Sequence, residues 1–183
     1  HIRPGGKDAE AGERIMEAGT TVGAGQVAVL ASQGYATVPV HRAVRAAILP
    51  TGDELAPLDA FREEVEEGER IPESNGPFLA AAVRALGAEA VPLGIARDRP
   101  ESILERLREA READVLLTIG GASMGEADLL KRVLATDGYE VDFWRVRIRP
   151  GSPFSLGFLP RDGDDPPLPV FGLPGNPASA YVT

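Results

Sequence analysis

The 183-residue chain predicts an α/β protein: a doubly wound domain built on a mostly parallel sheet, preceded by part of a small β-rich module. Two observations carry this. From Ala43 onward, short apolar runs alternate with stretches of helical periodicity, the signature of strands joined by right-handed helical crossovers. Before Val40 the texture differs, because Gly5, Gly6, Gly12, Gly19, Gly23 and Gly25 break the chain into pieces suited to short strands and turns. The division is therefore residues 1–42 as the end of a β-rich module and 43–183 as the α/β domain, with His41-Arg42 as the joint.

Taken in order, one helix is expected at 26–32, stopped by Gly34, and a short strand at 35–40. Residues 44–49 form the first buried strand and run into Pro50-Thr51-Gly52-Asp53-Glu54-Leu55, a turn at a strand's carboxyl end, where open α/β sheets place ligands. An acidic segment to Glu73 reads as an exposed loop. Ser74 then caps a helix to Leu86, with Phe78, Leu79, Ala82, Val83 and Leu86 on one face and Gly87 as its stop. Residues 88–93 form the next strand, and Asp98 caps a helix whose first turn holds Pro100.

The central stretch follows. Val115, Leu116, Leu117 and Ile119 make a near-continuous apolar run, as expected of a strand buried on both faces. Gly120 and Gly121 let the backbone turn sharply and approach a ligand, and a helix from Gly125 to about Leu134 directs its positive end at an anion. Ser123 can add a phosphate contact. Residues 139–148 alternate enough for a strand, which puts Arg145 and Arg149 on one face as an anion clamp. Gly151-Ser152-Pro153 breaks it, and 160–169 reads as a polar hairpin tip. Residues 170–173 form a last strand leading into Pro174-Gly175-Asn176-Pro177, and a helix begins at Ala178.

Composition removes several chemistries. The absence of cysteine excludes disulfides and thiolate sites and fits a reducing cytoplasm, and two histidines leave no His-based metal cage or catalytic triad. A net charge of −9 argues against nucleic acid as a partner, and no apolar run approaches the length of a membrane span. No signal peptide is recognisable in a chain that opens without Met, which reads as a fragment, as does the helix cut off at Thr183. What remains is oxygen-ligand, guanidinium and backbone-dipole chemistry. Asp53, Glu54, Glu126 and Asp128 offer hard oxygen ligands for Mg²⁺ bridged to phosphate, which needs only one or two protein carboxylates. Asp53 can equally stabilise its own turn, Asp128 can be a solvated first-turn acid, and the arginines can form surface ion pairs.

Five motifs together resemble one family: Thr51-Gly-Asp-Glu-Leu55, Ser74-Asn75, Gly120-Gly-Ala-Ser-Met-Gly-Glu-Ala-Asp128, Phe143-Trp-Arg-Val-Arg-Ile-Arg-Pro-Gly-Ser-Pro153 and Gly172-Leu-Pro-Gly-Asn-Pro-Ala-Ser179. Their order and spacing resemble the MoeA-type molybdopterin molybdotransferases, related to the E domain of gephyrin, over nearly the whole chain. The resemblance implies a three-layer α/β/α molybdopterin-binding domain, a homodimer, and Mg²⁺-dependent insertion of molybdenum from molybdate into adenylylated molybdopterin with release of AMP. Carried over by motif, Asp53 and Asp128 would stand around Mg²⁺ and molybdate, with Arg145 and Arg149 as catalytic cations. Thr51, Gly52, Ser74, Asn75, Gly120, Gly121, Ser123, Gly125, Pro174, Gly175, Asn176, Pro177 and Ser179 would hold the pterin phosphate ligand. The chain departs from the family where Arg145, Arg149 and Ser152 replace common lysines and where Gly6-Lys7-Asp8 replaces Gly-Glu-Asp. Those departures motivate a competing reading, a molybdopterin-binding or scaffolding paralogue without turnover. A nucleotide-processing relative on the same fold is disfavoured by the Leu173-Pro-Gly-Asn-Pro177 loop.

Overall fold

The computed structural model describes residues 4–60, 70–120 and 126–183, the side chains of 126–128 excepted. The chain divides into two compact units, residues 1–41 and 42–183. In the first, the described residues hold one helix, α1 (Ala24–Ser32), and no strand. Gln26 closes the start of α1 by accepting from Gly23 N–H at 3.2 Å. The short strands expected from the glycine spacing, including 35–40, are not formed among the described residues: local turns, such as the one closed by Thr20 N–H to Glu17 O at 3.2 Å, stand before α1, and residues 37–40 after it have no regular secondary structure.

The second unit carries β1 (Arg45–Pro50), β2 (Leu55–Ala56), β3 (Ile71–Pro72), α2 (Asn75–Ala85), β4 (Glu89–Pro92), α3 (Pro100–Ala110), β5 (Val115–Ile119), α4 (Glu126–Thr136), β6 (Glu140–Trp144), β7 (Ser155–Leu159), β8 (Leu168–Leu173) and α5 (Pro177–Val182). Six strands form one sheet in the order β4-β1-β5-β8-β7-β6, parallel from β4 to β8 and antiparallel at β7 and β6. The expected α/β fold with a mostly parallel sheet is the one observed.

Alternation along β1 explains the layering. Ala46 and Ile48 pack with Leu79, Ala80 and Val83 of α2 and Ala180 of α5, whereas Ala47 and Leu49 pack with Ile103 and Leu107 of α3 and Leu130, Val133 and Leu134 of α4. A strand buried on both faces needs apolar residues at every position, which is why its sequence shows no polar alternation. On α2 the inward residues are Leu79, Ala80 and Val83; Leu86, placed on the same face by spacing, is 86% exposed because the helix has already ended at Ala85.

Two ends differ from expectation for local reasons. Arg145 does not continue β6: it takes φ 74°, and its N–H donates to Phe154 O at 2.9 Å while Val146 N–H reaches Ser152 O at 3.0 Å. A hairpin that closes there removes the partner a longer strand would need. β7 has no counterpart in the sequence reading, although Ser155, Gly157 and Leu159 alternate inward between a Gly-Ser-Pro turn and Pro160. Gly157 is required because a side chain there would overlap the Tyr139 ring.

The entrances of β1 and β5 are tied together by charge. Arg42 Nη1 and Nη2 donate to the Asp114 carboxylate at 2.5 Å each, and Arg45 N–H donates to the same group at 2.8 Å. The hydrogen bond from Arg42, reinforced by the Arg45 N–H, holds Asp114 well below the usual carboxylate range. A depressed folded-state pKa gives stability that is present above the unfolded value, about 4, and lost as pH falls from there toward the folded value. The substitution Asp114→Asn is therefore expected to lower the urea midpoint at pH 7, with the gap to the wild type narrowing as pH falls below about 4. An equal gap at pH 7 and pH 3 would contradict the linkage.

Candidate functional site

The sheet order makes β1 and β5 neighbours although the chain reaches β4 on one side of β1 and returns past it to β5 on the other. Where crossovers diverge, the carboxyl ends of the strands leave a crevice. Pro50, Ile119 and Leu173 stand at matching register in β1, β5 and β8, so the loops after all three strands leave at one level.

Thr51 is buried; its N–H donates to Ile119 O at 2.9 Å and its hydroxyl to the same oxygen at 3.4 Å. Gly120 follows with φ 98°, and a Cβ there would lie 2.7 Å from Thr51 O. Only glycine permits so close an approach in that conformation. Gly120 N–H donates to Leu173 O at 3.3 Å, joining the second loop to the third. Asn75, at the start of α2, donates from Nδ2 to Gly175 O at 2.7 Å, while its Oδ1 is buried without a partner among the described residues. These loops enclose a cavity of 330 Å³ whose lining includes Thr51, Glu54, Glu73, Ser74, Asn75, Gly120, Gly175 and Pro177.

Asn176 has a structural task. Its Oδ1 accepts from Ala178 N–H at 3.0 Å and Ser179 N–H at 3.2 Å, capping α5, with Pro177 in the first turn. Pro174 is buried and Ser179 half-buried. Ser74 occupies the N-cap position of α2 without capping it; Glu73, buried to 8% exposure, accepts from Gly76 N–H at 2.7 Å instead. Spacing alone suggested the hydroxyl, but a longer carboxylate one residue earlier reaches the same amide. Asp98 likewise does not cap α3, whose N-cap residue is Arg99.

Asp98 and Asp53 instead exchange hydrogen bonds, each backbone N–H donating to the other's carboxylate at 3.2 Å. Arg97 Nη1 donates to the carbonyls of Gly52, Asp53 and Leu55 at 3.4, 3.3 and 2.8 Å, and Gly52 N–H reaches Ala96 O at 3.1 Å. The turn after β1 is thereby strapped to the loop before α3. Asp53 faces a neighbouring cavity with Glu54, Arg70, Arg97 and Arg99, and it is not among the residues lining the 330 Å³ cavity. Glu54 borders both.

Arg145 and Arg149 do not form the expected clamp, because both lie past the end of β6 rather than on one strand face. Both are exposed, and the Arg145 guanidinium lies over the Trp144 ring, 4.4 Å from its centre, with Lys131 Nζ 4.1 Å from the same ring. Gly121, Ser123, Gly125 and the side chain of Asp128 lie outside the described residues. Lys7 and Ser152 are exposed. Glu73 and Arg97 are the contributors that sequence reasoning passed over: Glu73 ends an acidic stretch and reads as solvated, and the reach of Arg97 to three carbonyls depends on the fold.

No helix among the described residues is long and apolar enough to cross a membrane, and no three His, Asp or Glu gather among them as a ready metal cage. A family model described as probable molybdopterin binding domain matches residues 47–183. The chain belongs to this family. The matched span opens inside β1 and runs through every loop around the cavity, so the cavity belongs to the molybdopterin-binding domain as a whole. The chain is 38% identical over 176 residues to the molybdopterin molybdenumtransferase of Nostoc sp., covering 95% of the chain and 38% of the relative. To the enzyme of that name from Haemophilus influenzae it is 34% identical over 184 residues, covering 100% of the chain and 43% of the relative. A crystal structure described as a molybdopterin biosynthesis moeA protein from Pyrococcus horikosii superposes with a TM-score of 0.74 at 33% identity, over 94% of this chain and 40% of that one. The chain thus spans about two fifths of the length of these relatives.

Proposed function

We propose that this molybdopterin-binding domain supplies the pterin-phosphate pocket of a cytoplasmic, homodimeric molybdenum transferase, which inserts molybdenum from molybdate into adenylylated molybdopterin and releases AMP. The observation that carries this reading is the 330 Å³ cavity formed where the loops after β1, β5 and β8 leave at one level, in a domain matched to molybdopterin-binding relatives. Backbone at Gly120 and Gly175, the unpartnered Asn75 Oδ1 and the Ser74 hydroxyl offer the donors and acceptors that a polar heterocycle with a phosphate tail requires.

The donor set suits Mg²⁺, since Glu54 and Asp53 are hard carboxylate oxygens on adjoining cavities and Mg²⁺ usually keeps waters and substrate phosphates beside one or two protein carboxylates. When bound, Mg²⁺ would neutralise phosphate and molybdate charge. The chain's own residues position: Thr51 and Gly120 hold the strand ends together, Arg97 fixes the turn that carries Glu54, and Asn75 fixes the Gly175 loop.

Supplying adenylylated molybdopterin, molybdate and Mg²⁺ is expected to yield molybdenum cofactor and AMP together. If a protein carrying this domain at the relatives' full length forms no cofactor, the transferase reading falls; saturable pterin binding without AMP release would establish the binding-only alternative.

A further inference from the structure

Glu73 is more than nine-tenths buried, at 8% exposure, and lines the 330 Å³ cavity. Burying a carboxylate is costly unless donors occupy its oxygens. Among the described residues this one accepts a single hydrogen bond, from Gly76 N–H at 2.7 Å. Two carboxylate oxygens offer about four lone pairs, so most of that capacity stands unused. Helix capping does not account for the burial, because Ser74 occupies the N-cap position of α2 with a hydroxyl suited to that task. The backbone around the carboxylate is fixed: Glu73 N–H donates to Ala56 O at 2.9 Å, and Gly76 lacks the Cβ that would stand 2.6 Å from Glu73 Oε2. Two residues on, Asn75 lines the same cavity. Its Nδ2 is tied to Gly175 O at 2.7 Å, which sets the amide and leaves Oδ1 buried without a partner among the described residues. Glu73 borders a 610 Å³ cavity as well, but it is at the 330 Å³ one that the two acceptors stand together. Acceptors so placed call for a ligand with adjacent N–H donors and disfavour a phosphate, whose oxygens accept.

We propose that Glu73, with Asn75, is the specificity-determining pair that reads the donor edge of a 2-amino-4-oxo ring, the N3–H and 2-amino group of a pterin, and turns its phosphate tail away from these two residues. Parallel N–H groups on one edge of a ring match the two oxygens of a carboxylate. The choice of a pterin rests on the function proposed above.

The test is calorimetric titration with molybdopterin, together with competition by pterin and by lumazine, the same ring with oxygen in place of the 2-amino group. The wild type is expected to bind molybdopterin and to take pterin about tenfold or more tightly than lumazine, the scale of a hydrogen bond to a charged group. Glu73→Gln keeps an oxygen for Gly76 N–H but turns the other acceptor into a donor. It is expected to fold, to bind molybdopterin about tenfold more weakly and to lose the preference for pterin. Glu105→Gln, which removes the same charge from an exposed position on α3, is expected to change neither. Lumazine competing as well as pterin in the wild type, an unchanged preference in Glu73→Gln, or an equal loss in Glu105→Gln each overturns the proposal. Should Glu73→Gln not fold, the wild-type preference decides alone. No molybdopterin binding by the wild type removes the function proposed above and this assignment with it, whereas molybdopterin binding without discrimination between the two rings removes this assignment and leaves that function standing.

Discussion

Gly120→Ala is expected to cost about 2–4 kcal/mol of stability and to abolish measurable pterin binding, because two penalties coincide at one atom. A φ of 98° is strained for any residue with a Cβ, and here that Cβ would stand 2.7 Å from the Thr51 carbonyl oxygen, a backbone atom that cannot rotate aside. Relief requires the ends of β1 and β5 to separate, which breaks the Thr51 N–H to Ile119 O bond and deforms the cavity floor. Urea denaturation and pterin titration read the two effects separately. A variant with wild-type stability and affinity would show that the loop has another low-energy path and that the glycine is dispensable.

The second large effect is expected at Leu116, the fully buried second residue of β5. Leu116→Ala removes the isopropyl end of the side chain from the core between the sheet and helices α3 and α4 and should cost about 2–5 kcal/mol, depending on how far that layer collapses. Leu86→Ala is the control, since Leu86 is 86% exposed and its truncation should change stability by less than about 0.5 kcal/mol. Equal costs at the two positions would mean that the layering is wrong.

That pair also shows what the sequence could convey. An apolar run marked Leu116 as core and helical spacing marked Leu86, and the reading was reliable for Leu116 because a five-residue run between breakers has few ways to be placed. It failed for Leu86, where the question was at which residue a helix ends, a matter of one turn of backbone geometry. The glycines and prolines that close the three site loops were legible because their conformational demands are local. Glu73 and Arg97 were not: one displaces Ser74 as a helix cap and the other clasps three carbonyls 42 to 45 positions away, and both depend on distances that exist only after the sheet has formed. The arginines at 145 and 149 misled for the opposite reason, because an alternating pattern looks like a strand whether or not a partner strand is present to receive it.

The matched register of Pro50, Ile119 and Leu173 has an evolutionary corollary. A frame whose strands end flush can be re-equipped from above: the residues that project beyond that level, Glu54, Ser74 and Gly175 among them, can drift toward a different ligand without disturbing either buried layer beneath. Innovation and robustness are assigned to different storeys of the same sheet, and Thr51 and Gly120, at the landing between them, serve both.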